Sequence, residues 1–359
     1  MSSTINPLAN PKGTKKVCEL CQKPAHIQCT GCRVTFYCDA EHQQADWAAI
    51  HQKVCQLLTP LRTPIPFHVL KAEREHHRAQ RLERQEQLIE ISRATAQRKL
   101  FEKNHWEALP AAQLCLYSAT DVYGPGAVQL VPAYLLLAEA NIGLGRFSQA
   151  EEYLAQAEWI IMKTPECSLG VRHQLHRNLG RLHAATENFE EALFHLANDV
   201  YYASEEFGLD STVACGGYIL MANIFFKQKK FDIAMSLCTE VANTWHSHLY
   251  RILDSHIQNY SSLHNAIDEA QQAEADRTLQ CVLELEGQIP TRLPSLMAVA
   301  CHALAMLWLL GDDFPKATEF GRRALTSSRL EPDCGLSESI QRLLKMSEAG
   351  GGLQATGMS

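Results

Sequence analysis

A mostly α-helical protein with a small metal-stapled head is the fold class that this sequence predicts, and three observations predict it. Eight cysteine and histidine side chains with metal-ligand spacing fall between Cys18 and Cys55. Beyond them, one set of small and aromatic residues returns every 42 positions. From Phe67 to Asn104 there is neither proline nor glycine, and Ala, Glu, Arg, Gln and Leu dominate, a helix-forming composition.

At 359 residues the chain is long enough for two or three domains or one elongated array. Its 46% hydrophobic and 20% charged content is ordinary for a soluble protein, and no apolar run reaches the roughly 18 residues of a membrane span. The opening Met1-Ser2-Ser3-Thr4 lacks the basic and apolar regions of a secretory signal, so a cytoplasmic protein with reduced or metal-bound thiols is expected. Six of the 13 cysteines lie in the cluster. The others (Cys115, Cys167, Cys215, Cys238, Cys281, Cys301 and Cys334) are scattered singly and read as small buried apolar residues. A net charge of −7 disfavours phosphate neutralisation, so the expected partners are other proteins, with no nucleic acid and no membrane.

Residues 1–15 are expected to be disordered, and 16–57 to form the metal head. Its donors come in four pairs: Cys18 and Cys21, Cys29 and Cys32, Cys38 and His42, His51 and Cys55. Two or three residues separate the members of each pair, the reach at which two side chains grip one tetrahedral ion. A segment this short cannot bury enough apolar surface to fold unaided, and structural zinc supplies roughly 10–16 kcal/mol in finger peptides. Eight donors make two closed zinc sites with no position for water, which points to structure and away from hydrolysis.

The run Cys18-x2-Cys21, Cys29-x2-Cys32, Tyr37-Cys38-x3-His42-Gln43, Trp47 and His51-x3-Cys55 resembles a MYND-type zinc finger. The family's sites interleave. The resemblance therefore implies Cys18, Cys21, Cys38 and His42 on one zinc ion, and Cys29, Cys32, His51 and Cys55 on the second. His42 departs from the family, which usually has cysteine there, but imidazole is an ordinary zinc ligand. The resemblance also implies that Gln43 and Trp47 contact short proline-containing peptides. His26 lies outside the pattern and reads as a surface histidine.

Pro60, Pro64 and Pro66 mark a linker at 58–66. That boundary implies a finger able to unfold without disturbing the helical repeats. A long solvated helix over 67–104 then leads into repeats over 90–345. The period is carried by Leu137-Ala138, Phe147 and Ala150, then by Leu179-Gly180, Phe189 and Ala192, and again by Met221-Ala222, Phe231 and Ala234. Each residue stands 42 positions from its counterpart without a slip. Physically this is a helical hairpin in series. A small residue permits a close crossing, a turn comes next, an aromatic wedges after it, and alanine opens the packed face of the second helix, continued by Leu154, Leu196 and Cys238. Weaker copies surround Ala108 and Ala317, and a degenerate one falls within 266–285. The glycine-rich tail 346–359 lacks core residues and is expected to be disordered.

These small and aromatic positions resemble a tetratricopeptide repeat, lengthened from its usual period of about 34 residues. The resemblance implies a superhelix of TPR type whose first helices line a groove. Glu139, Arg177, Arg181, Asn223 and Lys227 would face it, and Arg177, Arg181 and Lys227 would meet an acidic segment or a C-terminal carboxylate. No phosphate-cradling glycine loop, nucleophile elbow or methyltransferase motif appears, so no catalysis is expected. The reading is a non-catalytic adaptor. Proteins that pair a MYND finger with helical repeats are often linked to cilia and flagella, which implies a role in axoneme assembly. The second reading is a nuclear corepressor adaptor recruiting partners through its finger.

The repeat register makes a direct prediction. Ala192→Glu forces a carboxylate into a packed helix crossing and should lower thermal stability by several degrees, measured by circular dichroism; an unchanged melt would contradict the register.

Overall fold

The computed structural model describes residues 2–5, 16–64, 69–259, 267–290, 292–331 and 335–356. The chain is mostly α-helical and divides into two compact units, Met1–Cys167 and Ser168–Ser359. No helix among the described residues is long and apolar enough to cross a membrane.

The first unit opens with a three-stranded antiparallel sheet of β1 (Ser2–Thr4), β2 (Ile27–Cys29) and β3 (Phe36–Tyr37), in that order. The expected disorder of residues 1–15 thus needs correction at its start. Ser2–Thr4 pairs with Ile27–Cys29 through backbone groups at the free edge of β2, a pairing that leaves little side-chain signature. Residues 6–15 lie outside the described part.

Helix α1 (Ala40–Asp46) widens into a π-helical turn at Trp47–His51 and continues as α2 (Gln52–Arg62). The expected linker at 58–66 is therefore helical through Arg62. Pro60 lies on the exposed side and removes one i→i−4 hydrogen bond, while Leu58 and Leu61, buried on the inner face, hold the helix in place. Residues 65–68 are outside the described part. The long helix is α3 (Lys71–Phe101), succeeded by α4 (His105–Tyr123), a 3₁₀ turn at Val128–Leu130, α5 (Val131–Gly143) and α6 (Phe147–Lys163).

The second unit holds α7 (Leu169–Ala185), α8 (Phe189–Phe207), α9 (Thr212–Lys227), α10 (Phe231–Asn259), α11 (Glu269–Glu286), α12 (Pro294–Leu310), α13 (Phe314–Ser328) and α14 (Ser337–Thr356). The degenerate copy is the single helix α11. The tail expected to be disordered continues α14 to Thr356, because Ser347 is buried and accepts a hydrogen bond from Thr318 Oγ1 at 3.0 Å. Cys334 is outside the described residues; the other six scattered cysteines are buried as expected.

The period appears in the backbone as one repeated turn. Lys103, Gly145, Glu187 and Lys229, spaced 42 apart, are all left-handed, with φ of 62°, 72°, 63° and 62°. Asp312, between α12 and α13, repeats the turn at 57°. In each case the next residue's N–H reaches back five positions to a helix carbonyl at 2.9 Å, as in Asn188 N to His183 O and Lys230 N to Phe225 O. This is the Schellman closure, which ties off the orphan carbonyls of the first helix and returns the chain into the second. Phe147, Phe189, Phe231 and Phe314 open the returning helices, though they are only partly buried and Phe231 is exposed, so they wedge less deeply than expected. The small positions do as expected. A Cβ on Gly180 would come within 2.7 Å of Leu196 Cγ, and Ala150, Ala192 and Ala234 are fully buried.

Inside the second unit, α7, α8 and α9 are joined by a buried charge network. Arg177 Nε donates to Asp199 Oδ2 at 2.8 Å, and His173 Nδ1 lies 3.1 Å from Asp199 Oδ1. Arg177 Nη2 also donates to the Val213 carbonyl at 2.6 Å. Burial opposes ionisation of Asp199, but Arg177 and His173 outweigh it and hold the carboxyl below its usual range. The pair Gly216–Gly217 makes room: a Cβ at either would fall within 2.7 Å of the Arg177 guanidinium or the Asp199 carboxylate.

Of the five left-handed turn residues only one is glycine, so the others carry a backbone cost of about 1–2 kcal/mol each. Glu187→Gly should raise stability by about 0.5–1 kcal/mol, less than that cost because glycine frees the unfolded chain. Urea midpoints would read it, and a lowered midpoint would refute the shared turn.

Candidate metal centre

Three short segments bring the donors together. Each Cys-x2-Cys pair is a tight knuckle ending in a left-handed residue, Gln22 (φ 57°) after Cys21 and Arg33 (φ 59°) after Cys32. Gln22 N donates to Cys18 O and Arg33 N to Cys29 O, both at 3.0 Å, so the two knuckles are the same turn used twice. The third segment is the helical run from α1 to α2. Asp39 caps it, accepting the His42 N–H at 2.8 Å, and that bond holds the Asp39 carboxyl below its ordinary range.

Two sets of four donors result: Cys18, Cys21, Cys38 and His42, and Cys29, Cys32, His51 and Cys55. Within each, every ligand atom lies within 4.8 Å of the others. Cys21 Sγ is 3.6 Å from Cys38 Sγ, and Cys29 Sγ is 3.9 Å from Cys55 Sγ. A zinc tetrahedron with bonds of about 2.3 Å has edges of about 3.8 Å, so the donors fit the ion in number, type and spacing. His42 presents Nδ1, 3.5 Å from Cys18 Sγ, whereas His51 presents Nε2, 3.7 Å from Cys32 Sγ. The protein therefore carries two separate Cys3His zinc-binding sites, interleaved along the chain.

The second site is the deeper. All four of its ligands are buried, while in the first only Cys18 is. Gly31 gives it room, since a Cβ there would stand 3.1 Å from Cys55 Sγ. Burial opposes ionisation of Cys29, yet backbone N–H groups of Cys32 and Gly31 more than offset it and lower its pKa. Desolvation, joined by the neighbouring Cys32 and Cys29, pushes the Cys55 thiol up to about 12. A divalent cation is what reconciles such a set, since it stabilises all three thiolates at once.

Behind His51 stands a support that the motif spacing does not reveal. Asp46 is buried, with Oδ2 3.6 Å from His51 Nδ1, and it accepts a 2.6 Å hydrogen bond from the Tyr37 hydroxyl. The carboxylate orients the imidazole so that Nε2 faces the ion. Arg62 adds a second brace, donating to both carboxylate oxygens of Glu19 at 2.8 and 2.6 Å and to Thr35 Oγ1 at 3.3 Å.

The finger is not separate from α3, α4 and α5. Ile50, Val54, Leu58 and Leu61 form one apolar stripe and share a core with Leu88 of α3, Ala111, Ala112 and Leu114 of α4, and Leu137 of α5. Each buried aliphatic side chain contributes about 1.5–3 kcal/mol, so the stripe rivals the net stability of a whole domain. The expected independence of residues 16–57 is corrected accordingly: losing zinc should loosen α3–α5 as well.

The groove and peptide candidates are placed differently from one another. Trp47 is 38% exposed, its ring 5.7 Å from His51, whereas Gln43 is buried. Arg177 is committed to Asp199 inside the unit, because the crossing of α7 and α8 needs a charge partner there. Arg181 is half-buried; Lys227 is exposed, 5.8 Å from the Phe189 ring centre. Asn223 turns inward, its Nδ2 donating to Ile219 O at 2.7 Å and lying 3.3 Å from Cys281 Sγ. His26 is exposed as expected.

Residues 18–55 match the family model of the MYND finger, and residues 131–158, spanning most of α5 and α6, match that of the tetratricopeptide repeat. Among solved structures, the crystal structure of BtubC (BKLC) from P. vanneervenii is similar at 18% identity over 67% of this chain and 91% of that chain, with a TM-score of 0.31. At that overlap the likeness bears on neither fold nor function.

Asp46→Ala removes the partner of both His51 and Tyr37. It should weaken zinc at the second site about 10- to 100-fold while sparing the first, giving two separated steps in a chelator competition. Release of both ions in one unshifted step would contradict this assignment.

Proposed function

We propose that the chain is a non-catalytic adaptor that joins protein partners through its finger and its helical hairpins, and that it works in assembly of the ciliary or flagellar axoneme. The observation that carries the adaptor reading is the use made of the donors: eight ligands close two tetrahedral shells, leaving neither ion a coordination position for water or substrate. The metal then acts on shape. It sets the direction of the α1–α2 helix, whose inner face is covered by α3–α5 and whose outer face presents Trp47. A MYND finger and a tetratricopeptide repeat are both modules that support protein interaction, and their matches on one chain favour a bridging role.

On this reading Trp47, not the buried Gln43, makes the finger's contact. Arg181 and Lys227 remain to receive an acidic segment, and Arg177 and Asn223 serve to position their helices. The axonemal part rests on the sequence resemblance alone.

Proximity labelling by the tagged full-length chain in ciliated cells tests both parts. Axonemal proteins should be enriched, with Trp47→Ala and the double variant Arg181→Glu/Lys227→Glu each losing a different subset. A uniformly nuclear signal would reject the ciliary role. Partner sets identical in all three proteins would reject bridging by these residues.

A further inference from the structure

Outside the finger, three histidines gather on the hairpin of α7 and α8. His176 and His183 stand two turns apart on α7, and His195 projects from α8 between them. His176 Nδ1 and His195 Nδ1 face each other at 3.0 Å. The His183 ring lies parallel to that of His195, with centres 5.4 Å apart and planes 7° apart. All three are only partly buried, so solvent reaches the group. Tyr202 closes one side, its ring centre 5.4 Å from that of His176, and Asp199 sits one turn beyond His195 on α8.

Two facing imidazole nitrogens have two uses. They share one N–H as a hydrogen bond, or they both turn lone pairs to a cation. Nitrogens bound at about 2.0–2.1 Å and separated by 90–109° stand about 2.9–3.3 Å apart, which includes the spacing found here. A second histidine pair, His246 and His302, stands 2.9 Å apart; there His302 is buried and its other nitrogen faces Ser339 Oγ at 3.5 Å. The pair on α7 and α8 differs in having a third imidazole stacked on it.

We propose that His176 and His195, with His183 as a third donor after side-chain rotation, form an exchangeable site for a borderline divalent transition metal such as Ni²⁺ or Zn²⁺. Water completes the coordination shell. Binding is balanced without proton release: the Nδ1 proton shared by the pair moves to Nε2 of its imidazole, and both Nδ1 lone pairs go to the ion. This site is distinct from the finger in every ligand and in chemistry, because it has no thiolate. It therefore holds metal less tightly than the Cys3His sites and responds to the free metal level. Its occupancy would clamp α7 to α8, and the proposal stands independently of the adaptor reading.

Calorimetric titration of Ni²⁺ into the full-length, two-zinc protein tests it, since Ni²⁺ favours imidazole and leaves thiolate-bound zinc in place. One further equivalent should bind, with affinity reduced about tenfold or more in His195→Gln and in His176→Asn. His183→Asn should weaken binding while circular dichroism and the zinc content stay unchanged. His246→Gln should leave the affinity as it was. Absence of a third equivalent, or undiminished binding in the His195 and His176 variants, would overturn the site.

Discussion

The demand of a zinc ion for four donors at fixed angles organises the first unit. Neither β2 with β3, five residues between them, nor the short α1 could hold a fold by apolar contact. Coordination ties the first knuckle to the start of the α1–α2 run and the second knuckle to its middle, so the helix has one direction only. That direction lays Ile50, Val54, Leu58 and Leu61 against α3–α5. Metal chemistry at one end of the unit is thereby converted into helix packing at the other. A ligand lost from the deep second site and a cavity made at Leu58 would damage the same structure.

Further along the chain a different constraint takes over. The hairpins are defined less by their aromatic residues than by a single left-handed position that closes each first helix. A Schellman closure asks only for φ near +60° and a returning N–H, so lysine, glutamate and aspartate fill it as well as glycine, at some cost. Between the closures, packing is tuned locally: Gly180 admits Leu196, while Gly216 and Gly217 admit the guanidinium and carboxylate of Arg177 and Asp199.

Much of this was legible in the residues. Ligand spacing alone marks all eight donors, and the return of alanine at 150, 192 and 234 locates three fully buried crossings. What escaped depends on contacts between segments that are distant in sequence. Asp46 reads as an ordinary helix-surface acid until Tyr37 and His51 close over it. Pro60 looks like a breaker, yet α2 runs on to Arg62, held by the burial of Leu58 and Leu61 on its inner face. Ser2–Thr4 has no pattern to find, because an edge strand is recruited by backbone hydrogen bonds. The same limit moved Arg177 from a groove to an interior: its partner Asp199 lies on the next helix, and spacing along α7 does not contain it.

That interior arginine changes how another molecule would arrive. A cation spent inside the unit adds nothing to the field felt at a distance, and the chain's net charge is −7. On the proposed reading, an acidic segment would approach against that net negative charge and be held near Arg181 and Lys227. Encounter would be slow, and faster at higher ionic strength, the reverse of electrostatic steering. Selection among partners on such a surface rests on how long a complex lasts after it forms.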